Sequence, residues 1–580
     1  MIGLRKFAPN SFLRRMNILD KKKRTYDAIV IGSGMTGGIA AKELCEKGLR
    51  TLVLERGPKL DHITGYHTAM TPIWQFPHHN RPTWAELDKT HPTQSLCYAF
   101  NEGTRHLFVR DDQHPYQQVK PFDWIRGYHV GGKSLMWARQ SYRMFPLEFE
   151  ENAIDGHGCD WPIRYPDLAP WYTHIERFIG INGNRDGLET LPDGDYLPPM
   201  EMNVLEKSFK ARVEKTFSKR HVVMGRSANL TVRHNGRGPC QYRNLCHRGC
   251  PYSAYYSTQS GALPVAVATG NLTLRPDSIA HSILYDEKKG RATGVRIIDA
   301  ATKETAEFYA KIIFVNAATL NSTLILLNST SSRFPNGLGN DSGVLGHYLM
   351  DHNYRMLGEG THDDFKNRYY KGRRPNAFYI PRFRNVEGDR REDFLRGYAY
   401  GGSCARQGWE RGSGMEGFGA AFKTELTKPG PWTIFLQSQA EMLPEAHNKV
   451  SLNKQILDQW GMPTLDIDCA FGPNEDAMDK DIATTMREMM EVAGFRDINV
   501  WNSGAPPGRG IHEVGTARMG RDPKTSVLNG WNQMHAVKNV FVTDGASLPS
   551  QGCQNPSLTF MALTARACDY AVGALKRRDL

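Results

Sequence analysis

Apolar and polar positions first settle into a regular pattern at Tyr26. Ala28-Ile-Val-Ile31 is a short, unbroken apolar run of strand length, and it leads straight into Gly32-x-Gly34-x-x-Gly37. Ile39 to Lys47 is compatible with a helix, and Thr51 to Leu54 forms a second apolar strand that ends on Glu55. Much farther along, Asn448 to Asp458 alternates polar and apolar residues, which predicts a strand of an antiparallel sheet in a second domain. The stretch 185–235, rich in Asn, Gly and Arg, is predicted to be irregular. Gly401, Gly402 and Gly412 to Gly419 read as loops that shape a pocket entrance. Aromatics gather around Tyr369 to Phe383 and Tyr398 to Trp432, as expected of a core. The sequence shows no internal repeat.

Composition adds limits. With 580 residues, 40% of them hydrophobic, the chain can bury a large core and suggests two or more domains. The net charge of +12 comes from basic residues spread along the chain, apart from Lys21 to Arg24. That distribution predicts a solvated surface and no nucleic-acid partner. No apolar run reaches the roughly 18 residues needed to span a bilayer. Arg14-Arg15 suggests twin-arginine export, but charged residues follow where an export signal would carry its hydrophobic stretch. Residues 1–25 are therefore read as an N-terminal arm.

The glycine run has chemical content. Gly32 permits the tight turn, Gly34 lets the backbone approach a pyrophosphate, and Gly37 lets helix and strand pack closely. The phosphates would sit at the positive end of the helix, with Glu55 placed to accept a ribose hydroxyl. Such a fingerprint suits either a nicotinamide or a flavin nucleotide. Here it lies near the N-terminus, with matching pieces near residues 130, 316 and 544, which suits a long dinucleotide held by scattered segments.

A second chemical feature is Cys240-Gln-Tyr-Arg-Asn-Leu-Cys246-His-Arg-Gly-Cys250-Pro251. The other seven cysteines are scattered and read as buried, inert thiols. Three thiols in a turn-rich loop suit soft metals, and a terminal Cys-Pro after short spacings suits an iron–sulfur loop. The alternatives are zinc, with His247 as fourth ligand, or a disulfide with one spare thiol. Zinc is weakened because His247 directly follows Cys246, and adjacent residues rarely reach one tetrahedral site.

Taken together, the motifs resemble the glucose–methanol–choline oxidoreductases, flavoproteins that oxidise alcohols and sugars. The similarity runs from about Tyr26 to Ala574. Arg126 to Trp137, with Gly132 and Ser134, resembles the second flavin-binding segment. Asn271 to Leu274 and Ala292 to Arg296 resemble strands beside the adenosine, which places Ala280 at the cofactor. Val344 to His352 resembles the segment that closes the nucleotide domain. Glu441 to Pro444 and Asn448 to Leu452 resemble the start of a substrate-domain strand. Val542 to Pro549, with Asp544 and Gly545, and Asn555 to Ala562 resemble the piece around the ribityl chain and flavin ring.

The resemblance implies an α/β fold: a Rossmann-like FAD-binding domain and a second, α+β substrate domain built on an antiparallel sheet. The first would use 26–60, 120–145, 225–352 and 505–580; the second would use 61–119, 146–224 and 353–504, with the cysteine loop at 240–250. Removing hydride from an alcohol carbon needs a base for the hydroxyl proton and a neighbour that orients the oxygen. The resemblance puts His512 in the base position and Asn555, beside the flavin, in the orienting one. His129, His347 and His352 are expected to be structural. Gln439 and Glu441 are the polar residues to examine first around a substrate.

The cysteine spacing further resembles the sugar dehydrogenase branch, in which Cys240, Cys246 and Cys250 would hold a three-iron, four-sulfur cluster. That implies a dehydrogenase for a sugar or glucoside, with a small helper subunit and a cytochrome c subunit, bound to a membrane only through its partners. It also implies the periplasmic side of a bacterial inner membrane, with the cytoplasm as the alternative. The competing activities are a sugar oxidase using oxygen and a non-catalytic electron-transfer flavoprotein.

Overall fold

The computed structural model describes residues 24–368 and 374–580. Most of the expected N-terminal arm, including Arg14-Arg15, and Tyr369 lie outside the described residues.

The first apolar run is the central strand of a sheet. Thr25–Ile31 lies parallel to Thr51–Leu54 on one side and to Thr305–Val315 on the other, with Ile29 opposite both Leu52 and Ile313. It reads as continuously apolar because both faces are covered. Ile29 and Ile31 join the large core beneath the sheet, while Ala28 and Val30 pack with Ala40, Leu44, Ala567 and Ala571 of the helices above. The helix begins at Met35 and runs to Glu46, earlier than the apolar periodicity suggests. Its first turn therefore stands at the end of the strand.

Six strands of this seven-stranded sheet run in the order Leu272–Arg275, Thr51–Leu54, Thr25–Ile31, Thr305–Val315, Arg291–Asp299, Ser278–Asp286. The seventh, Val540–Val542, pairs in parallel with the end of Thr305–Val315, whose earlier half pairs with the antiparallel Arg291–Asp299. The C-terminal ends Ile31, Leu54, Val315 and Val542 all point the same way. In open α/β sheets that edge is where ligands bind.

The second layer is an antiparallel sheet in the order Arg496–Asn502, Met356–His362, Trp432–Ala440, Tyr398–Arg406, Phe378–Ile380, Val223–Met224. Helix Pro473–Val492 covers one face through Met478, Ile482, Met486 and Met489. Helix Val204–Thr216 adds Leu205, Phe209 and Val213 to the same core. Tyr398, Tyr400, Phe378 and Phe383 are buried here, as core aromatics.

Three expectations need correction. The stretch 185–235 is not wholly irregular, because Val204–Thr216 is a helix. Asn203 caps it by accepting from Leu205 N and Glu206 N, and Glu206 reaches back to Asn203 N. Asn448 to Asp458 does form a strand, Lys449–Leu457, but outside the six-stranded sheet. It makes a hairpin with Pro463–Asp468, closed by Asp458, whose carboxylate accepts from Trp460 N and Met462 N. Its buried Val450 belongs to the core under the parallel sheet. Gly401 and Gly402 are not loop residues: both lie inside the strand Tyr398–Arg406, where a Cβ on Gly402 would come within 2.5 Å of Leu436 and Phe378.

Candidate active site

The converging strand ends open into a cavity of about 560 Å3, a size typical of cofactor and ligand sites. Its lining brings together Gly32, Ser33, Gly34, Glu55, Gly132, Ser134, Ala280, Asn316, Asp544 and Gly545 with Tyr354, Gln437, Gln439, His512 and Asn555. The segments near 130, 316 and 544 thus meet at one site. Gly37 stays out of the lining; a Cβ there would lie 2.0 Å from Gly32 O, so its role is the close strand–helix contact. Gly34 differs: an added Cβ would meet nothing within 4 Å and would project into free space. That space and the helix start beside it form a cradle a phosphate group fits.

Glu55 is fully buried and gripped at both oxygens. Oε2 accepts from Ser33 N at 3.0 Å and Ser33 Oγ at 2.6 Å, and Oε1 accepts from Gly57 N at 2.9 Å. Burial nevertheless holds its carboxyl above the ordinary range. Ser33 Oγ also accepts from Gly131 N, which ties the first glycine turn to the second. The motif names only the glycines, although this serine sits inside it. Asp544 is held in the same lining, accepting from Ser322 Oγ at 2.5 Å and Ala546 N at 3.1 Å, and burial lifts it to about 6.

Elsewhere in the lining, His512 Nε2 lies 3.5 Å from Asn555 Nδ2, which also donates to Tyr354 Oη at 3.3 Å. Burial, with the positive charge of Lys133 adding to it, holds His512 well below the usual imidazole range, so the ring is neutral. Its backbone is anchored by Asp351, whose Oδ1 accepts from His512 N at 2.9 Å while Oδ2 accepts from Gly508 N and Gly510 N. Lys133 bridges toward Glu513 at 3.3 Å. The buried Asn555 Oδ1, Gln439 Oε1 and Glu513 Oε1 have no protein partner, so polar atoms at or beside the cavity remain available to a bound molecule. The residues present fit a dinucleotide along the glycine turns and a polar substrate beside His512 and Asn555.

Gln437 and Gln439 reach the cavity from alternate positions of the strand Trp432–Ala440. Glu441 does not. It is buried in an ion cluster behind the site, paired at 2.9 Å with Arg382, which also binds Glu151 at 2.7 Å. Glu148 lies within electrostatic reach of Glu151 and Arg382 and accepts from Phe145 N and Cys553 N. The cluster braces Cys553, two residues before Asn555. His129 is buried with its Nδ1 at Val130 O, and His347 Nδ1 faces Ala446 O, both backbone contacts.

The cysteine loop lies just beyond the cavity wall. All ten cysteines are free thiols, so the loop contains no disulfide. Cys240, Cys246 and Cys250 surround a small void together with Asn244, Tyr252 and Tyr255. Tyr242 N and Ala254 N donate to Cys240 Sγ and Cys250 Sγ, each at 3.4 Å. Burial, reinforced by the neighbouring thiols, pushes Cys240 up to about 11. The three sulfurs do not all come within 4.8 Å of one another; among the described residues the group that does is Glu148, Glu441 and Cys553. A single tetrahedral ion would need sulfur separations of about 3.8 Å, given its ~2.3 Å bonds. His247 points away, with its ring 5.4 Å from Tyr98.

Tyr98 lines the cavity and donates to Met136 O at 3.2 Å, while Tyr255 from the loop donates to Leu135 O at 2.9 Å. The turn carrying Gly132 and Ser134 therefore separates the cavity from the cysteines.

Fold and cavity together define a dinucleotide-dependent oxidoreductase. The chain belongs to the GMC oxidoreductase family, whose N-terminal signature matches residues 26–354 and whose C-terminal signature matches residues 444–564. It is a flavin-dependent enzyme. It is 26% identical to the fructose dehydrogenase large subunit of Gluconobacter japonicus, over 95% of this chain and 98% of that one. It is 28% identical to 2-methyl-1,2-propanediol dehydrogenase of Mycolicibacterium austroafricanum, over 94% of each. Among solved structures it resembles formate oxidase of Aspergillus oryzae RIB40, studied for its FAD modification, with a TM-score of 0.60, 14% identity and coverage of 96% and 99%. That likeness concerns the fold.

Proposed function

We propose that this protein is an FAD-dependent dehydrogenase that oxidises a CH–OH group of a sugar, glucoside or related polyol. The observation that carries the reading is the pairing of a neutral His512 with Asn555 in the cavity that the glycine turns also line. Bound FAD supplies the hydride acceptor. His512 Nε2 takes the hydroxyl proton, and Asn555, which has no proton to accept or release at working pH, orients the oxygen. Gln437 and Gln439 offer amide groups to further hydroxyls. The sugar or polyol class is supported by the two relatives named for fructose and a propanediol.

Cys240, Cys246 and Cys250 would hold an iron–sulfur cluster, of the three-iron, four-sulfur type, supplying one-electron transfer. Three thiols around one void and two N–H···S contacts support this assignment. A cluster there favours a protein acceptor of the cytochrome c type over oxygen, with a small helper subunit and a periplasmic location. No helix among the described residues is long and apolar enough to cross a membrane, and membrane attachment through partner subunits is part of this proposal.

Turnover with fructose and a panel of sugars, glucosides and polyols tests the reading. It predicts reduction of an artificial dye without peroxide formation, and stoichiometric iron and sulfide in anaerobically purified protein. Oxygen consumption with peroxide would establish the oxidase instead, and absence of iron would remove the cluster.

A further inference from the structure

Behind the ring of His512 stands a second histidine, and the two rings admit one arrangement of their protons. His352 is 1% exposed, and its Nε2 faces the carbonyl oxygen of Gly552. A carbonyl oxygen only accepts, so Nε2 carries a proton. Burial pushes His352 down to about 4, so the ring is neutral and its other nitrogen, Nδ1, is bare. That bare nitrogen lies 2.9 Å from Nδ1 of His512, with the rings edge-on at 5.0 Å between centroids. Two bare nitrogens cannot share a hydrogen bond, so Nδ1 of His512 is the donor. In a neutral ring this leaves Nε2 of His512 as a lone pair, on the side where Asn555 Nδ2 stands 3.5 Å away. Tyr354 Oη, 3.5 Å from His512 Nδ1, is too distant to compete for that proton.

We infer that His352 is a positioning residue: by accepting a hydrogen bond from Nδ1–H of His512, it selects the tautomer whose Nε2 lone pair faces the substrate hydroxyl. The inference rests on the proposed role of His512 as the base. Asp351 and His352 then act as one device, the aspartate gripping the backbone of His512 and the histidine gripping its ring. With the substrate hydroxyl proton on Nε2, His512 becomes an imidazolium whose Nδ1–H still donates to His352 Nδ1, while a bound flavin would supply the hydride acceptor. A hydrogen bond to a charged donor is stronger than one to a neutral donor, so the contact favours the state formed during the reaction.

Nitrogen-15 NMR of the histidine-labelled holoenzyme tests the tautomer without turnover. The His512 signals, identified by their loss in His512→Gln, are expected to show a protonated Nδ1 and a bare Nε2. In His352→Leu they should become a mixture of tautomers. In stopped-flow reduction, His352→Leu should lower the limiting rate of flavin reduction roughly 10- to 100-fold with substrate affinity unchanged. His352→Asn, whose amide oxygen can stand near the position of Nδ1, should recover most of it. A protonated Nε2 on His512 in the wild type overturns the inference, as does a wild-type rate in His352→Leu. Equal impairment of the Leu and Asn variants with flavin binding lost would mark His352 as a space-filler and also overturn it. If no alcohol or sugar reduces the flavin but the tautomers are as stated, the functional reading fails and the assignment of the protons stands.

Discussion

Alanine in place of Gly34 should remove cofactor affinity and leave the fold intact, whereas alanine at Gly32 should damage the fold. Gly34 has φ −68°, a value any residue adopts, and its added Cβ meets nothing within 4 Å. Loss of a glycine's freedom in the unfolded chain then leaves stability unchanged or raises it by up to about 1 kcal/mol. The methyl group would occupy the space through which the backbone approaches a pyrophosphate. Losing that close contact costs about 1–3 kcal/mol, or roughly 5- to 150-fold in flavin affinity. Gly32 has φ +95°, and its Cβ would lie 2.4 Å from Asn316 O, a backbone atom that cannot move aside. Left-handed strain of about 1–2 kcal/mol adds to overpacking of about 1–3 kcal/mol, so Gly32→Ala should lose roughly 2–5 kcal/mol. Thermal and denaturant midpoints of the apoproteins, with flavin titrations followed by fluorescence, measure both quantities. Wild-type flavin affinity in Gly34→Ala, or equal destabilisation by the two variants, would refute the assignment of the glycine turn to the nucleotide.

Two further outcomes follow, one from the cysteine loop and one from a buried carboxylate. Cys246→Ser replaces a soft thiolate with a hydroxyl, so iron content should fall while sugar still bleaches the flavin in a single turnover; joint loss of both would mark the loop as a structural staple. Glu148 is lifted to about 7 by burial, with the charge of Glu151 adding to it. Its protonated form therefore contributes stability that is full below about pH 4.5 and lost as pH rises through 7. Gln stays neutral throughout, so urea unfolding of Glu148→Gln should gain on the wild type between pH 5 and pH 8, and a constant difference would contradict the shift.

Legibility in the sequence followed the range of the interactions. The glycine turn, its strands and Glu55 are local, with spacing dictated by strand and helix geometry, and each lies where the pattern puts it. His512 and Asn555 are 43 residues apart, and the structure brings them together in the cavity lining. The helix Val204–Thr216 was hidden by the surrounding Asn, Gly and Arg, although Asn203 and Glu206 form a capping box and Leu205, Phe209 and Val213 repeat every four residues. Gly401 and Gly402 read as loop because glycine signals flexibility; here it makes room for Leu436 and Phe378 across the sheet. Glu441 read as a polar group for the substrate, but its partners are an arginine 59 residues away and carboxylates from around residue 150. His352 gave no local signal, because what distinguishes it is a ring 160 residues distant.

Anaerobic stopped-flow reduction of the bound flavin by a turned-over sugar or polyol, in wild type and in His512→Ala, tests the central claim most directly. The account predicts normal flavin content in the variant and a rate of reduction at least roughly 100-fold slower, the contribution of a positioned base. Flavin reduction by His512→Ala at the wild-type rate would contradict it.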